Sequence, residues 1–165
     1  MIRFMTFLFL LFPLTLSAGG LYGTVGFGQT FTINDGIDET GAAIGGGLQL
    51  LDIGPGGLGI EGEWQRTGDA DFGLLAAALK LPLTSSFRLT GRVGVDYQNI
   101  EGAIDQRSVK GIDWNVVAGA GAEYDLTDQF FVYGRADFRN VTLDGGWGAR
   151  AADAFWSAGV GMRLF

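Results

Sequence analysis

Charged residues in this chain alternate with apolar ones, and their spacing decides which chemistry is available to them. Glu61 and Glu63 are separated by one residue, as are Arg135 and Asp137. Because successive side chains of a β-strand point to opposite faces, each pair shares one face of a strand. Extending this alternation along the chain places six acids and six bases on a common inward face. They are Glu61, Glu63, Asp96, Asp113, Glu123 and Asp137, and Lys80, Arg88, Arg92, Arg135, Arg139 and Arg163.

The balance of these charges favours ion pairs over catalysis. Charge buried inside a protein is costly unless it is paired, so the set predicts an interlocking network. Glu61 and Glu63, about 7 Å apart on one face, could be a catalytic carboxylate pair, but no cleft is predicted around them and ion pairing is preferred. The sequence has no His and no Cys, which removes the commonest general base, Ser–His chemistry and thiolate chemistry. We therefore predict no catalytic residues and no enzymatic activity.

Two further patterns could indicate ligand sites. The glycine-rich runs Gly23–Gly28 and Gly45–Gly47 resemble phosphate-binding loops, but no Gly-Lys-Ser/Thr follows them, and glycines that leave room inside a small barrel are the better interpretation. The acidic segment Asn34–Glu39 could hold a hard cation such as Ca²⁺, or bridge through divalent cations to lipopolysaccharide phosphates. A solvated loop is the preferred interpretation, so the sequence predicts no cofactor and no metal site.

The hairpin Ala118–Phe138 shows which kind of element positions the charges. Its two halves flank the predicted turn Asp125–Asp128, and the face opposite the charges is apolar throughout. That apolar face carries aromatic residues at both ends, with Tyr124 and Phe130 beside the turn and Phe138 at the far end. Such banding is typical of strands that cross a lipid bilayer. The hairpin is therefore predicted to be part of the wall of a membrane barrel.

Eight segments of about ten residues repeat this alternation. They are residues 21–31, 42–51, 58–66, 72–81, 87–98, about 112–124, 130–138 and 154–165. Short turns follow the second, fourth and sixth segments, whereas longer polar loops follow the others: Thr32–Gly41, Thr67–Asp71, Asn99–Gly111 and Asn140–Asp153. This layout predicts an all-β fold, an eight-stranded antiparallel up-and-down transmembrane β-barrel with both termini in the periplasm.

Outward aromatic residues sort by end into two predicted girdles. Near the loops lie Trp64, Tyr97, Trp114, Phe138 and Trp156, and near the turns lie Phe87, Tyr124, Phe130 and Phe165. Aromatic girdles mark the two membrane interfaces of outer-membrane barrels.

The first 18 residues predict the compartment. Arg3 precedes the apolar segment Phe4–Leu16, and small residues at Ser17 and Ala18 fit a cleavage site, so residues 1–18 are predicted to be a signal peptide and 19–165 the barrel domain. The chain has 165 residues, 29 of them Gly, and a net charge of −7, which argues against nucleic-acid binding. We expect a cell outer-membrane protein of a Gram-negative bacterium.

Two sequence stretches resemble a known family. Gly121–Asp128 is similar to the G-x-E-Y-x-[LI]-[TS] turn entry of the small eight-stranded outer-membrane β-barrels, the group of the OmpA transmembrane domain, OmpX and the opacity proteins, and Gly161–Phe165 is similar to their C-terminal end. The resemblance implies that Glu123 pairs with Lys80 across the lumen. It also implies that Phe165 is the signal read by the outer-membrane assembly machinery.

Two function classes follow and stay open at this point. The first is a structural or surface-interaction barrel that supports membrane integrity, presents its loops for contact and has a lumen filled by ion pairs. The alternative is a narrow porin-like channel for ions or small solutes. The expected partners are outer-membrane lipid and lipopolysaccharide, the assembly machinery and periplasmic chaperones, and the expected state is a monomer.

Overall fold

β-Strands make up nearly all of the chain that the structure, a computed structural model, describes. The described residues are 20–32, 38–53, 56–67, 70–100, 103–104, 107–108, 112–139, 142–144, 148–150 and 153–164. The predicted signal peptide at residues 1–18 and the C-terminal Phe165 lie outside them, as do Asn34 and Asp35 of the acidic segment. No helix in these ranges is long and apolar enough to span a membrane.

Eight strands form a closed antiparallel barrel: β1 Leu21–Thr32, β2 Asp38–Ile53, β3 Gly56–Thr67, β4 Ala70–Pro82, β5 Phe87–Ile100, β8 Ile112–Asp125, β9 Phe130–Arg139 and β12 Asp153–Arg163. Their order around the barrel is β1-β12-β9-β8-β5-β4-β3-β2. Two small hairpins stand outside the barrel, formed by β6 Ala103–Ile104 with β7 Arg107–Ser108 and by β10 Thr142–Asp144 with β11 Gly148–Arg150. The predicted all-β, eight-stranded antiparallel barrel is confirmed.

Several strands run further than the apolar alternation indicates. β2 begins at Asp38, inside the predicted loop Thr32–Gly41, and pairs there with Phe31 of β1. β3 and β4 likewise reduce the predicted loop Thr67–Asp71 to the two residues between Thr67 and Ala70. The reason is that ladder hydrogen bonds join backbone groups and do not require apolar side chains, so pairing continues past the end of the apolar pattern.

A β-bulge near the end of β2 changes the outward surface. The register of β2 with β3 shifts between Gln49 and Leu51, and as a result both Leu50 and Leu51 are exposed. The Gln49 side chain then closes the turn, because its Nε2 donates to Oδ1 of Asp52 at 2.6 Å and to the carbonyl of Gly56 at 3.2 Å. A bulge of this kind bends a strand and re-aims its side chains.

The strand register fixes the width of the barrel. A path across cross-strand partners that starts at Arg139, the last residue of β9, returns to Gln129, the residue before β9 and ten residues away. The path runs through Val117, Gly94, Ala76, Glu61, Gly47, Tyr22 and Arg163. For eight strands this shear corresponds to a strand tilt of about 40–45° and an interior just wide enough for side chains to fill.

Inside and outside are inverted relative to a water-soluble barrel. On β3, Glu61, Glu63 and Gln65 are buried in the lumen, whereas Ile60 and Trp64 are exposed on the outer face. The same division holds around the wall, where the large exposed hydrophobic side chains are aliphatic or aromatic and nine charged residues are buried. The interior that this fold creates is therefore polar and charged, and it is the place to look for a functional site.

Candidate functional site: the charged lumen

Three clusters of charged side chains fill the lumen from one end to the other. We call the end of the barrel at residues 83–86 and 126–129 the turn end and the opposite one the loop end. The turn-end cluster comprises Lys80, Arg88, Glu123, Asp125 and Arg163. The central cluster comprises Glu61, Glu63, Arg92, Arg135 and Asp137. The loop-end cluster comprises Gln65, Asp96 and Arg139.

The turn-end cluster joins four strands through two carboxylates. Nζ of Lys80 donates to Oε1 of Glu123 at 2.7 Å, in the arrangement that the family resemblance implies. Asp125 Oδ1 accepts from Nη1 of Arg88 at 2.6 Å and from Nη2 of Arg163 at 2.7 Å. Arg163 also lies 3.7 Å from Oε2 of Glu123, beyond hydrogen-bond distance. Three cations thus surround two anions.

The central cluster has the opposite balance, with three acids around two guanidinium groups. Nε of Arg92 donates to Oδ1 of Asp137 at 2.7 Å, and its Nη atoms reach both Glu61 and Glu63. Arg135 approaches the same two glutamates, with its Nη1 2.9 Å from Oε2 of Glu63. All five side chains are buried or nearly so. Bidentate and shared guanidinium contacts of this kind are among the strongest hydrogen bonds in proteins.

The loop-end cluster is built around a single guanidinium group. Nε of Arg139 lies 3.0 Å from Oδ2 of Asp96, and Arg139 also donates to Oε1 of Gln65. Its guanidinium carbon lies 4.0 Å from the ring centre of Phe72 and 5.3 Å from that of Phe155. Phe155 is fully buried, so two aromatic rings and one cation close this part of the lumen.

Aromatic residues also fill the turn end. Tyr22 and Phe131 meet edge to face with ring centres 6.1 Å apart, and Nζ of Lys80 lies 3.7 Å from the Tyr22 ring centre. The Tyr22 hydroxyl donates to Oε1 of Glu61, which connects the turn-end and central clusters. Arg163 stacks over Phe131 at 4.6 Å. The charges are therefore packed between rings and do not line an open pore.

Most of the twelve predicted lumen residues take part in these clusters, and one lies outside what can be described. Glu61, Glu63, Lys80, Arg88, Arg92, Asp96, Glu123, Arg135, Asp137, Arg139 and Arg163 all make ion pairs within the lumen. Asp113 belongs to β8, but its side chain is not among those described. The predicted girdle residues, apart from Phe165, lie on the outer face.

Sequence reasoning missed several lumen residues. Asp125 was expected in a turn, but it is the last residue of β8 and pairs with two arginines. Four aromatic residues that stand next to outward positions in the sequence are in fact buried in the lumen: Tyr22, Phe72, Phe131 and Phe155. The alternation itself could have found these four, because each lies at an inward position of its strand.

The similarity of the hairpins β4–β5 and β8–β9 could have identified which lumen residues pair, as well as which face of the strand they lie on. The turns Leu83–Phe87 and Leu126–Phe130 have matching hydrogen bonds, since in each the Thr hydroxyl accepts from the Phe amide at 3.0 Å. The offset between the two hairpins is 43 residues, which is also the separation of Lys80 and Glu123. Asp96 and Arg139 have the same separation. Two pairs of equivalent positions thus carry opposite charges that pair in the lumen, whereas Arg92 and Arg135, also 43 residues apart, are both basic and share Glu61 and Glu63.

Residues 15–163 match the family described as the outer membrane protein beta-barrel domain, and the chain belongs to this family. The resemblance to small eight-stranded outer-membrane barrels is therefore confirmed. No curated protein matches the sequence.

Several solved structures share the fold. The N-terminal β-barrel domain of OprF from Pseudomonas aeruginosa has a TM-score of 0.65 at 19% identity and covers 88% of this chain and 97% of its own. OprG from Pseudomonas aeruginosa has a TM-score of 0.63 at 15% identity, covering 89% and 96%. Ail, the attachment invasion locus protein of Yersinia pestis, solved with the heparin analogue sucrose octasulfate, has a TM-score of 0.60 at 15% identity, covering 88% and 99%. At these identities the likeness concerns the fold alone.

Proposed function

We propose that this protein is an integral outer-membrane barrel with a sealed lumen, whose role is structural and which presents its loops at the cell surface. The single observation that carries the proposal is the interlocked lumen. Six acids and six bases of the described residues pair there, with Asp125 in addition to the predicted set, so the net charge of the paired set is zero. A neutral, filled interior supports mechanical stability and offers no selective path for ions.

The outer face supports insertion into a bilayer. Trp64, Tyr97 and Trp114 lie in one cross-strand row with Gly73, and Tyr97 meets Trp114 edge to face at 5.8 Å. Phe87 and Tyr124 are cross-strand partners at the turn end. Ten residues separate Phe87 from Tyr97 on β5, which corresponds to about 24 Å along the barrel axis at the tilt given above. That height fits the roughly 25 Å apolar band of outer-membrane barrels.

Orientation and partners are part of the same proposal. With an even number of strands and short turns at one end, both termini lie at that end, which we assign to the periplasm. The girdles would contact outer-membrane lipid and lipopolysaccharide, and Phe165 would be read by the assembly machinery after delivery by periplasmic chaperones. The Ail structure contains a heparin analogue, but the net charge of −7 in this chain does not complement a polyanion.

Single-channel recording tests the sealed lumen against the narrow channel. Purified protein would be inserted into planar bilayers, and folding would be checked by heat-modifiable migration on gels so that silence cannot be confused with failed insertion. We expect no steady current from the folded barrel. A large and stable conductance in the wild type would reject the sealed lumen and establish the channel as the function.

A further inference from the structure

One internal cavity of the lumen has the size of a single water molecule. The centre of a water molecule could occupy a volume of about 10 Å³ inside it. One bound water needs roughly 10–15 Å³ by the same measure, so the cavity is at the threshold. It lies between the turn-end and central clusters and is lined by Glu61, Thr90, Arg92, Glu123, Tyr133 and Arg135, with Ala78 on one wall. A second cavity is lined by Tyr22, Gln49 and Lys80, and it has no room for a water molecule, since the volume by the same measure is about 0 Å³.

A buried acceptor in the lining lacks a hydrogen bond within the protein. Glu123 is 5% exposed, and Lys80 satisfies its Oε1. Its Oε2 has no hydrogen-bond partner, since Arg163 is 3.7 Å away. The Tyr133 hydroxyl, another buried group of a lining residue, is also without a partner. Buried polar atoms in proteins are nearly always paired, with protein or with ordered water.

The charge of the lining restricts what could bind. A monatomic cation would be repelled by the guanidinium groups of Arg92 and Arg135, and an anion would be repelled by Glu61 and Glu123. The ligand must therefore be neutral, contain one non-hydrogen atom, and donate a hydrogen bond to a carboxylate. Water meets all three requirements, and the guanidinium groups offer donors for its lone pairs.

We propose that this cavity binds one ordered water molecule that donates a hydrogen bond to Oε2 of Glu123, and that the layer above it is dry. Leu74, Ala76 and Val117 form a buried apolar cluster, and none of the three lines either cavity described above, so their own side chains offer water no hydrogen bond. The inference depends on the filled lumen proposed above, but it makes a separate claim, that water is confined to one site.

Nuclear magnetic resonance of the refolded barrel tests the site with a matched pair of methyl groups. Ala78 lines the cavity, whereas Ala76, two residues away on the same face of β4, belongs to the dry cluster. With methyl-labelled alanine in lipid nanodiscs, we expect a water-to-methyl nuclear Overhauser cross peak at Ala78 and none at Ala76. The absence of a cross peak at Ala78 would overturn the proposal, and equal peaks at both would show a continuous water column in its place.

Two substitutions at Thr90 exclude an indirect signal. Thr90→Val removes the exchangeable hydroxyl and keeps the cavity, so the Ala78 cross peak should persist. Thr90→Leu adds a larger apolar side chain to the cavity, so the peak should fall to the level of Ala76. Loss of the peak in Thr90→Val would show that the signal came from hydroxyl exchange and would reject the water site. A current in planar bilayers together with water at both methyls would reject the sealed lumen as well, whereas no current and no water at either would reject the site alone.

Discussion

Glycine at single positions of the lumen is what allows large side chains to pack there. Gly161 faces the ring of Phe131, and Gly26 and Gly159 face Tyr133, so closely that a Cβ atom at any of the three would overlap the ring or its hydroxyl. The outward Gly134 is different, because nothing lies within 4 Å of the position its Cβ would occupy. The glycines of this barrel thus divide into those required by close approach and those that are not.

This division gives a matched pair of variants. We expect Gly161→Ala to lower the free energy of unfolding by about 1–3 kcal/mol, because overpacking forces the Phe131 ring to move. Gly134→Ala should change it by less than about 0.5 kcal/mol, since an exposed site away from special contacts is tolerant. Urea unfolding in lipid vesicles measures both. Equal losses in the two variants would show that Gly161 does not make room for Phe131.

The buried ion pair of Lys80 and Glu123 is expected to contribute strongly to the stability of the barrel. Their side chains are 8% and 6% exposed, so Lys80→Ala leaves a carboxylate buried without its nearest cation and should cost about 3–5 kcal/mol. The double variant Lys80→Ala/Glu123→Ala should recover part of that loss, because the stranded charge is gone. Arg66→Ala is the control, since Arg66 is 61% exposed and 4.0 Å from Asp71, and it should cost at most about 1 kcal/mol. A double variant less stable than Lys80→Ala would contradict the explanation.

The sequence allowed the face of a lumen residue to be predicted more easily than its partner. Period-two alternation assigns Arg92 and Glu63 to the lumen, but their contact depends on strand tilt and shear, which the alternation does not contain. Asp125 shows the limit at an element's end, because turn composition suggested a loop where the backbone still pairs. The pairing of Lys80 with Glu123 came from family resemblance, and the offset between hairpins would have been an independent route to it.

At the scale of elements, the repeated hairpin explains how opposite charges meet. β4–β5 and β8–β9 share a turn geometry and stand side by side through the β5–β8 ladder. Positions 43 residues apart therefore lie at related heights two strands apart, where long side chains can reach each other. Lys80 with Glu123 and Asp96 with Arg139 both follow this rule. Complementary charges in the two hairpins can thus specify the arrangement of four neighbouring strands.

The outward face of β5 tests the proposed membrane band. Val93 is exposed between Phe87 and Tyr97 and pairs with Ala77 and Ala118 on its neighbours. Val93→Arg should lower the free energy of unfolding in vesicles by about 2–4 kcal/mol, because it places a charge near the bilayer midplane. Ser85→Arg, in the exposed turn between β4 and β5, should have little effect. Equal stabilities of the two variants would overturn the assignment of lipid-facing and solvent-facing surfaces.

The existence of the barrel strands was predictable, but their ends were not, nor were the small hairpins β6–β7 and β10–β11, which lie in predicted loops. All eight barrel strands were located by alternation, since a half-buried strand must alternate to satisfy both its environments. The start of β2 at Asp38 and the bulge at Gln49 were not found. Both depend on backbone pairing with a neighbour, which leaves no mark on the apolar pattern.

For the whole molecule, the clusters offset one another's charge. The turn-end cluster has three cations and two anions, the central cluster has two cations and three anions, and the loop-end cluster is balanced. Links such as the hydrogen bond from Tyr22 to Glu61 connect neighbouring clusters. The lumen is neutral only as a unit, which is why all three clusters are expected to stabilise the barrel together.

The response to salt distinguishes a network of buried ion pairs from one that is in contact with the solution. The Debye length falls from about 10 Å at 0.1 M to about 3 Å at 1 M, but buried pairs are screened far less than exposed ones. The loss of stability caused by Lys80→Ala should therefore be the same, within about 0.5 kcal/mol, at about 0.1 M and 1 M KCl. The small loss caused by Arg66→Ala should shrink towards zero over the same range. If the Lys80→Ala difference also shrinks with salt, ions reach the turn-end cluster, and the lumen is open to solution at that end.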